Sequence, residues 1–469
     1  MKRLSFLKGV FCATLFLAVA VTAQAQFLRT SYFMEGSHYR MQLNPALTPG
    51  RGYINLPAIG SLNATVNSSS LGYQDIMDII ENSDDSDYFM SQDFLNRLDA
   101  TNNLNVNLST DILSAGWYKG RNFWSFNIGL RNDIGANIPK TVFEFMNRMN
   151  TLQASDLLNM REQFGGQRLE INSFAEVGLG FARDINSRLT IGGKVKALLG
   201  IGNMKLDVSD ISVNSNLSGI EFNEYGDPYI QDPSQVNGNA TISANATLES
   251  SSKLLELQQG DEGYIDEIDF GSFGFAGYGV GIDLGASYRL LDNLTISASV
   301  LDLGFIKWGK ENTYVARANT AQQYDASNAQ DFVDDITSGE VLNFDMLEMQ
   351  VEDGAAKSRT TNLTSTVVVG AEYALLNNWL VVGALYTGRF AKPKTLNELT
   401  FSANIRPKNY FNVAVSYSVL QGAGKTFGAA VKLGPLFVGT DYMFFGKDTN
   451  NVNAYLGISI PLGKQKIFD

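Results

Sequence analysis

The sequence predicts an all-β chain that closes into a transmembrane antiparallel β-barrel of about fourteen strands. Three observations predict it. Segments in which apolar and small polar residues alternate recur from residue 51 to the end of the chain. The connections between those segments are alternately short and longer. Beyond the first 25 residues, no run reaches the roughly 18 consecutive apolar residues of a membrane-spanning helix.

Composition points the same way. Charged residues make up 18% of the 469, below the roughly 25% usual for soluble domains, and 44 glycines outnumber 10 prolines. Such a chain suits a surface partly solvated by lipid rather than water. The formal charge of −12 leaves no basic stripe to neutralise phosphates, which excludes nucleic acid as a partner.

The N-terminus reads as an export signal. Met1 to Lys8 is a cationic head, Val10 to Val21 is apolar, and Ala23-Gln24-Ala25 supplies a small-x-small cleavage site. A membrane anchor is the competing reading, but the apolar run is short for a span. Cys12 lies inside this signal, and Gly9-Val10-Phe11 before it is no lipoprotein box. The mature chain therefore has no thiol chemistry, disulfide or cysteine-ligated metal. The organisation expected is a signal peptide over 1–25, an N-terminal segment over 26–50 and a barrel over 51–469.

The strands follow from a period of two. In Tyr410-Phe-Asn-Val-Ala-Val-Ser-Tyr-Ser-Val419, Phe411, Val413, Val415, Tyr417 and Val419 share one face, and Asn412, Ala414, Ser416 and Ser418 the other. The same pattern predicts strands at about 51–69, 104–118, 122–135, 168–184, 188–210, 274–290 and 294–308. It continues at about 362–376, 379–390, 396–407, 410–421, 425–433, 436–445 and 452–462. Residues 239–252 read as part of a long loop; pairing with the wall there would change the count.

Tight turns fall at Lys119-Gly120-Arg121, Ile185-Asn186-Ser187, Leu291-Asp292-Asn293, Asn377-Asn378, Lys408-Asn409 and Gly434-Pro435. Between them lie 70–103, 136–167, 211–273, 309–361, 391–395, 422–424 and 446–451. Short periplasmic turns and longer extracellular loops are the layout of an outer-membrane barrel, and place both mature termini in the periplasm. A soluble β-sandwich would also alternate, but its polar face would carry Lys, Glu and Asp. Here that face is mostly Asn, Ser, Thr and Gly, with aromatic residues such as Trp117, Trp124, Trp308 and Trp379 near strand ends. The apolar phase of each strand should face lipid.

Residues 27–46, from Phe-Leu-Arg-Thr-Ser-Tyr-Phe to Asn44-Pro45-Ala46, followed by Arg51-Gly-Tyr-Ile-Asn-Leu-Pro57, resemble an uncharacterised family of Bacteroidota outer-membrane proteins, a domain of unknown function. Ser297 to Trp308 adds to the match, which extends over the mature chain. More loosely, Asn-Pro-Ala before the first strand resembles the FadL-like long-chain fatty-acid transporter superfamily and the related PorV type of secretion-system barrel. Both relatives imply fourteen strands, and the former an N-terminal hatch within the lumen, carried onto Asn44, Pro45 and Ala46 alone. Asn-Pro is also a common turn initiator, so a plain turn is the alternative. The long acidic connections 211–273 and 309–361, and a penultimate rather than terminal Phe468, depart from the transporter pattern.

Candidate chemistry is sparse. The single histidine, His38, lies in the N-terminal segment, away from any wall serine it could activate, so an ordinary hydrogen-bonding role is expected and no enzyme. No cofactor or metal site is expected. The clusters Asp84, Asp85, Asp87 and Asp261, Glu262, Asp266, Glu267, Asp269 lack ordered calcium-loop spacing and read as solvated loop charge. Across 140–165 apolar residues recur at helical spacing, with Phe143, Phe145, Met146, Met149, Leu157 and Leu158 prominent. They form either a landing site for a hydrophobic ligand or a cap on the barrel mouth that could also touch a partner. Arg131 and Arg406 fall on the lumen phase, where they either select an anionic head group or pair with an N-terminal plug.

The expected function is passive passage of small hydrophobic molecules across the outer membrane. The alternative is a docking barrel of a secretion or surface-assembly system. Expected partners are outer-membrane lipid, a hydrophobic small molecule and other envelope proteins.

Overall fold

The computed structural model describes residues 29–463, apart from 56–60, 73–90, 152–155, 157–158, 224–227, 260–263, 333–348, 353–357, 391–394, 409, 421–425 and 443–450. The wall begins with β1 (Gly52–Asn55 and Ser61–Ser68), β2 (Thr101–Lys119), β3 (Asn122–Pro139), β4 (Gln167–Asp184) and β5 (Leu189–Ser218). It continues with β6 (Gly277–Leu291), β7 (Leu294–Trp308), β8 (Arg359–Asn362 and Thr366–Leu375), β9 (Leu380–Arg389) and β10 (Leu396–Lys408). It ends with β11 (Phe411–Leu420), β12 (Thr426–Leu433), β13 (Leu436–Thr440) and β14 (Asn451–Leu462). Each strand pairs antiparallel with its sequence neighbour, and β1 pairs with both β2 and β14, so the cylinder closes. The result is a closed fourteen-stranded antiparallel barrel, strand for strand the one expected.

The two phases of each strand separate as the alternation requires. In β11, Asn412, Ala414, Ser416 and Ser418 are buried inside, whereas Val415 is 52% exposed on the outer surface. Leu179, Val195, Ile282, Val369, Phe401 and Phe427 are likewise exposed. Water would not tolerate such a continuous apolar surface; hydrocarbon does. At one end of the barrel the strands meet in tight hairpins. Leu376, Asn377 and Asn378 all take left-handed backbone, with φ of 51°, 54° and 72°, a conformation Asn tolerates better than most residues.

At the other end the wall rises well beyond a bilayer. β5 alone has 30 residues, against the roughly 9–11 a tilted strand needs to cross. Around Gly200–Gly202 one edge of β5 changes partner, from β6 to a strand at Asn237–Ser252, whose far edge pairs with Thr313–Tyr324. Reading 239–252 as loop is thus corrected. Its Ala, Asn, Ser and Thr have little of the bulk that marks a strand, but Ala240, Ile242, Ala244, Ala246 and Leu248 alternate inward and are buried. Because it pairs above the level of β6, the wall count stays at fourteen.

Inside this tall end lies the largest apolar core, formed by Val106, Ile134, Ile171, Leu206, Val213 and Ile242 with their neighbours. The described α-helices are short: α1 (Arg29–Tyr32), α2 (Arg40–Leu43), α3 (Gln92–Arg97) and α4 (Lys140–Thr151). Ser91 caps α3 by accepting the Phe94 amide at 3.2 Å. α4 turns Val142 and Phe145 down into the core.

Candidate functional site

The lumen is occupied at three levels between the loop end and the turn end. At the loop end, Phe143 and Phe145 are 7% and 2% exposed. Phe143 packs edge-on against Phe94 at 5.5 Å, and Phe145 lies tilted against Phe164 at 4.6 Å. The side chains of Met146, Met149, Leu157 and Leu158 lie outside the described residues. So do Asp84, Asp85, Asp87, Asp261 and Glu262.

Below that core, charged side chains point inward from the small polar phase. The Arg131 guanidinium lies 3.0 Å from both Asp111 and Glu176, and Lys194 also reaches Glu176 at 3.0 Å. Lys196 bridges Asp283 at 2.8 Å and Asp302 at 2.5 Å. Each buried charge therefore has an opposite partner, without which burial would cost several kcal/mol. Arg389 of β9 reaches Asp133 of β3 at 2.6 Å and donates to Asn107 of β2 at 2.8 Å. β9 stands about half-way round the wall from β2 and β3, so this side chain spans the lumen.

The third level is the N-terminal segment, which lies within the barrel. Asp441 accepts the backbone amides of Arg29 and Thr30, both at 2.8 Å, and Arg29 pairs with Glu398 at 2.8 Å. Arg40 pairs with Glu372, and Tyr32 bonds Ser297. Gln42 donates to Asp111 at 2.8 Å, which joins this segment to the charge network above it.

Asn44-Pro45-Ala46 sits against β5, β6 and β7. The Asn44 Nδ2 donates to the carbonyls of Ala286 and Ala298 at 3.1 and 3.2 Å, while its Oδ1 accepts the Ala46 amide at 2.9 Å. The wall makes room by omitting side chains. A Cβ on Gly192 would lie 2.5 Å from the Pro45 carbonyl, and one on Gly285 would strike Asn44 Oδ1. Gly370 and Gly383 clear the same kind of space for Tyr32 and Phe33.

His38 is buried between Tyr39 and Tyr53, with ring centroids 3.9 and 4.2 Å away. Its Nε2 accepts from Asn55 Nδ2 at 2.8 Å, which assigns the proton to Nδ1. Burial drives its pKa down to about 3, so the ring is neutral at physiological pH.

The turn end is open. A vestibule of about 1450 Å³ lies between the N-terminal segment and the hairpins. Arg406 stands at its wall and pairs with Glu35 at 2.7 Å. The structure thus does not gather the sequence-predicted residues into one site. Phe143 and Phe145 are at the loop end, Arg131 is mid-lumen among wall carboxylates, and Asn44 and Arg406 contact or belong to the N-terminal segment. Sequence reasoning missed Asp111, Glu176, Lys194, Glu372, Glu398 and Asp441. Their signal was present: each is a charge on or beside the small polar phase of a strand, the phase that faces the lumen, where the other residues are mostly Asn, Ser, Thr and Gly.

No curated protein matches the chain in sequence. Among solved structures, the chain is similar to the toluene transporter TbuX of Ralstonia pickettii, with 9% identity and a TM-score of 0.42 over 93% of this chain and 99% of that one. It is similar to the toluene transporter TodX of P. putida, with 11% identity and a TM-score of 0.40 over 95% and 100% of the two chains. A FadL homologue of Pseudomonas aeruginosa gives 10% identity and a TM-score of 0.34 over 93% of each. Likeness this distant says nothing of cargo. The profile of a family described as a family of unknown function, DUF5723, matches residues 45–441, and the chain belongs to that family.

Proposed function

We propose that this chain is an outer-membrane barrel through which small hydrophobic molecules pass without an energy source of the protein's own. In this reading the short turns and both mature termini lie in the periplasm, and the segment at 26–50 acts as a hatch. One observation carries it. The interior of the loop end is lined by Val, Leu, Ile, Met and Phe side chains, whereas a barrel that conducts water-soluble solutes has a polar interior. An apolar cargo entering there would exchange one set of apolar contacts for another. Phe143, Phe145, Met146, Met149, Leu157 and Leu158 would form the entry, and the core around them would have to yield. Arg131 and Arg406 serve to hold the lumen closed rather than to select a head group.

The test is uptake of a radiolabelled alkylbenzene by cells producing the protein. Deleting 140–165 should abolish uptake while the barrel stays heat-modifiable on gels. Uptake at the full rate after that deletion would sink the assignment.

A second reading, a docking barrel of a secretion or surface-assembly system, is favoured by the tall sheet at Leu189–Ser218, Asn237–Ser252 and Thr313–Tyr324, which exceeds what passage through a bilayer requires. A protein partner that copurifies stoichiometrically and is lost on trimming 211–273 or 309–361 would favour it.

A further inference from the structure

We propose that the vestibule at the turn end is a docking site for an acidic, extended segment of a periplasmic protein. This rests on the reading above that places the hairpins in the periplasm. Its size comes first: about 1450 Å³ exceeds the roughly 300–1,000 Å³ of small-molecule pockets, which are mostly apolar. This one is lined largely by polar residues, with eleven Arg, Lys, Asp and Glu among them.

The charge has the wrong sign for the rest of the chain. Seven Arg and Lys side chains line the vestibule against four carboxylates, in a protein with 36 cations and 48 anions overall. Some of those cations are spoken for, since Arg40 pairs with Glu372 and Arg406 with Glu35. Arg51, Arg121 and Arg289 are exposed, and none has a carboxylate within 4.0 Å among the described residues. Three unpaired guanidiniums around one opening attract an anion and hold carboxylates bidentately.

The floor says what kind of anion. Asn412 is 2% exposed, and neither its Nδ2 nor its Oδ1 has a hydrogen-bond partner among the described residues. Nδ1 of His38, 3% exposed in the same lining, is an unpartnered donor. Buried polar atoms in native proteins are nearly always satisfied. A carboxamide with a free donor and a free acceptor matches a peptide group, whose carbonyl accepts and whose N–H donates. A phosphodiester or a lipid carboxylate offers acceptors only and would leave Asn412 Oδ1 unsatisfied. An extended acidic peptide satisfies both floor and rim.

The experiment uses the full chain in neutral detergent and rhodamine-labelled hexaglutamate, hexaglutamine and hexalysine, read by fluorescence anisotropy. At low salt, hexaglutamate should bind at least about tenfold more tightly than hexaglutamine, and hexalysine should not bind. The preference should collapse at about 0.5 M NaCl, where screening falls to a few ångströms. The triple variant Arg51→Gln, Arg121→Gln, Arg289→Gln should lose at least about tenfold. Its positions are exposed, so folding is not at stake. Asn412→Ala should weaken hexaglutamate several-fold with the salt dependence unchanged.

Equal binding of the three peptides, or a triple variant that binds like the parent, would overturn the proposal. So would inorganic phosphate competing as well as the peptide, residue for residue. A separate arm tests orientation: a cysteine at Asn186, on the vestibule rim, should react with an impermeant maleimide only in permeabilised cells. Reaction in intact cells would overturn the periplasmic partner, whatever the peptide titration shows.

Discussion

The Asn44→Ala substitution should release the N-terminal segment from its seat without unfolding the wall. Three hydrogen bonds vanish: two from Asn44 Nδ2 to the carbonyls of Ala286 and Ala298, and one from the Ala46 amide to Asn44 Oδ1. Each contributes about 1 kcal/mol net. The Ala46 amide, on a residue 3% exposed, is left without its acceptor, so the total is about 3 kcal/mol. That corresponds to a roughly hundredfold shift towards the unseated form, since about 1.4 kcal/mol is tenfold. Hydrogen exchange of peptides covering 29–51, followed by mass spectrometry, reads the change directly. Amides of α1 and α2 should exchange roughly a hundredfold faster, while peptides from β2 to β4 keep their protection. Gly285→Val is the companion variant, because it leaves Asn44 intact and fills the space it occupies. If both variants exchange like the parent, Asn44-Pro45-Ala46 is a plain turn and does not fix the segment.

Three further outcomes are expected. Val415→Lys, half exposed on the outer face, should cost about 2–4 kcal/mol if it lies near the bilayer midplane, while Phe411→Lys beside the hairpin should cost under about 1, as measured by refolding into lipid vesicles. His38 should make seating of the segment pH-sensitive. Its seated pKa of about 3 lies below the ordinary 6.5, so the released form takes up a proton that the seated form refuses. Seating is therefore full above about pH 6.5 and weakens by about 1.4 kcal/mol per unit as pH falls towards 3. Hydrogen exchange corrected for intrinsic rates should show this slope, and His38→Gln should abolish it. The double variant Arg389→Ala, Asp133→Ala should destabilise the barrel to urea by less than the sum of the two single variants, with coupling of at least about 1 kcal/mol; additivity would mean that the bridge across the lumen contributes nothing.

The wall was legible because a strand's period of two is a property of neighbouring residues. Phe411 to Val419 carry the pattern within ten positions, and hairpin residues such as Asn377-Asn378 mark the ends. The strand at Asn237–Ser252 was not, because its alternation is written in Ala against Asn, Ser and Thr, residues that also make loops. Inside the barrel, Arg131 and Arg406 could be assigned to the lumen by phase, but their partners could not. Arg406 meets Glu35, and Asp133 meets Arg389, across separations no local pattern encodes. For the same reason α4 could be drawn as a helix from Val142, Phe143 and Phe145, while the core that buries Val142 and Phe145 is assembled from β2 to β5 and the strand beyond.

The seam between β1 and β14 has a consequence for biogenesis. The N-terminal segment is joined to β1 with hardly a residue between, and its first anchor, the Arg29 amide on Asp441, links positions 412 apart. The seats of Gln42 and Asn44 lie on earlier strands, but Asp441 follows β13, so the anchor of Arg29 and Thr30 can form only once the last strands have been made. Contacts this distant in sequence are the slowest to find. A chain stalled before β13 would display an open sheet edge and unanchored Arg29 and Thr30 amides at once. Quality control that senses either one would be sensing both.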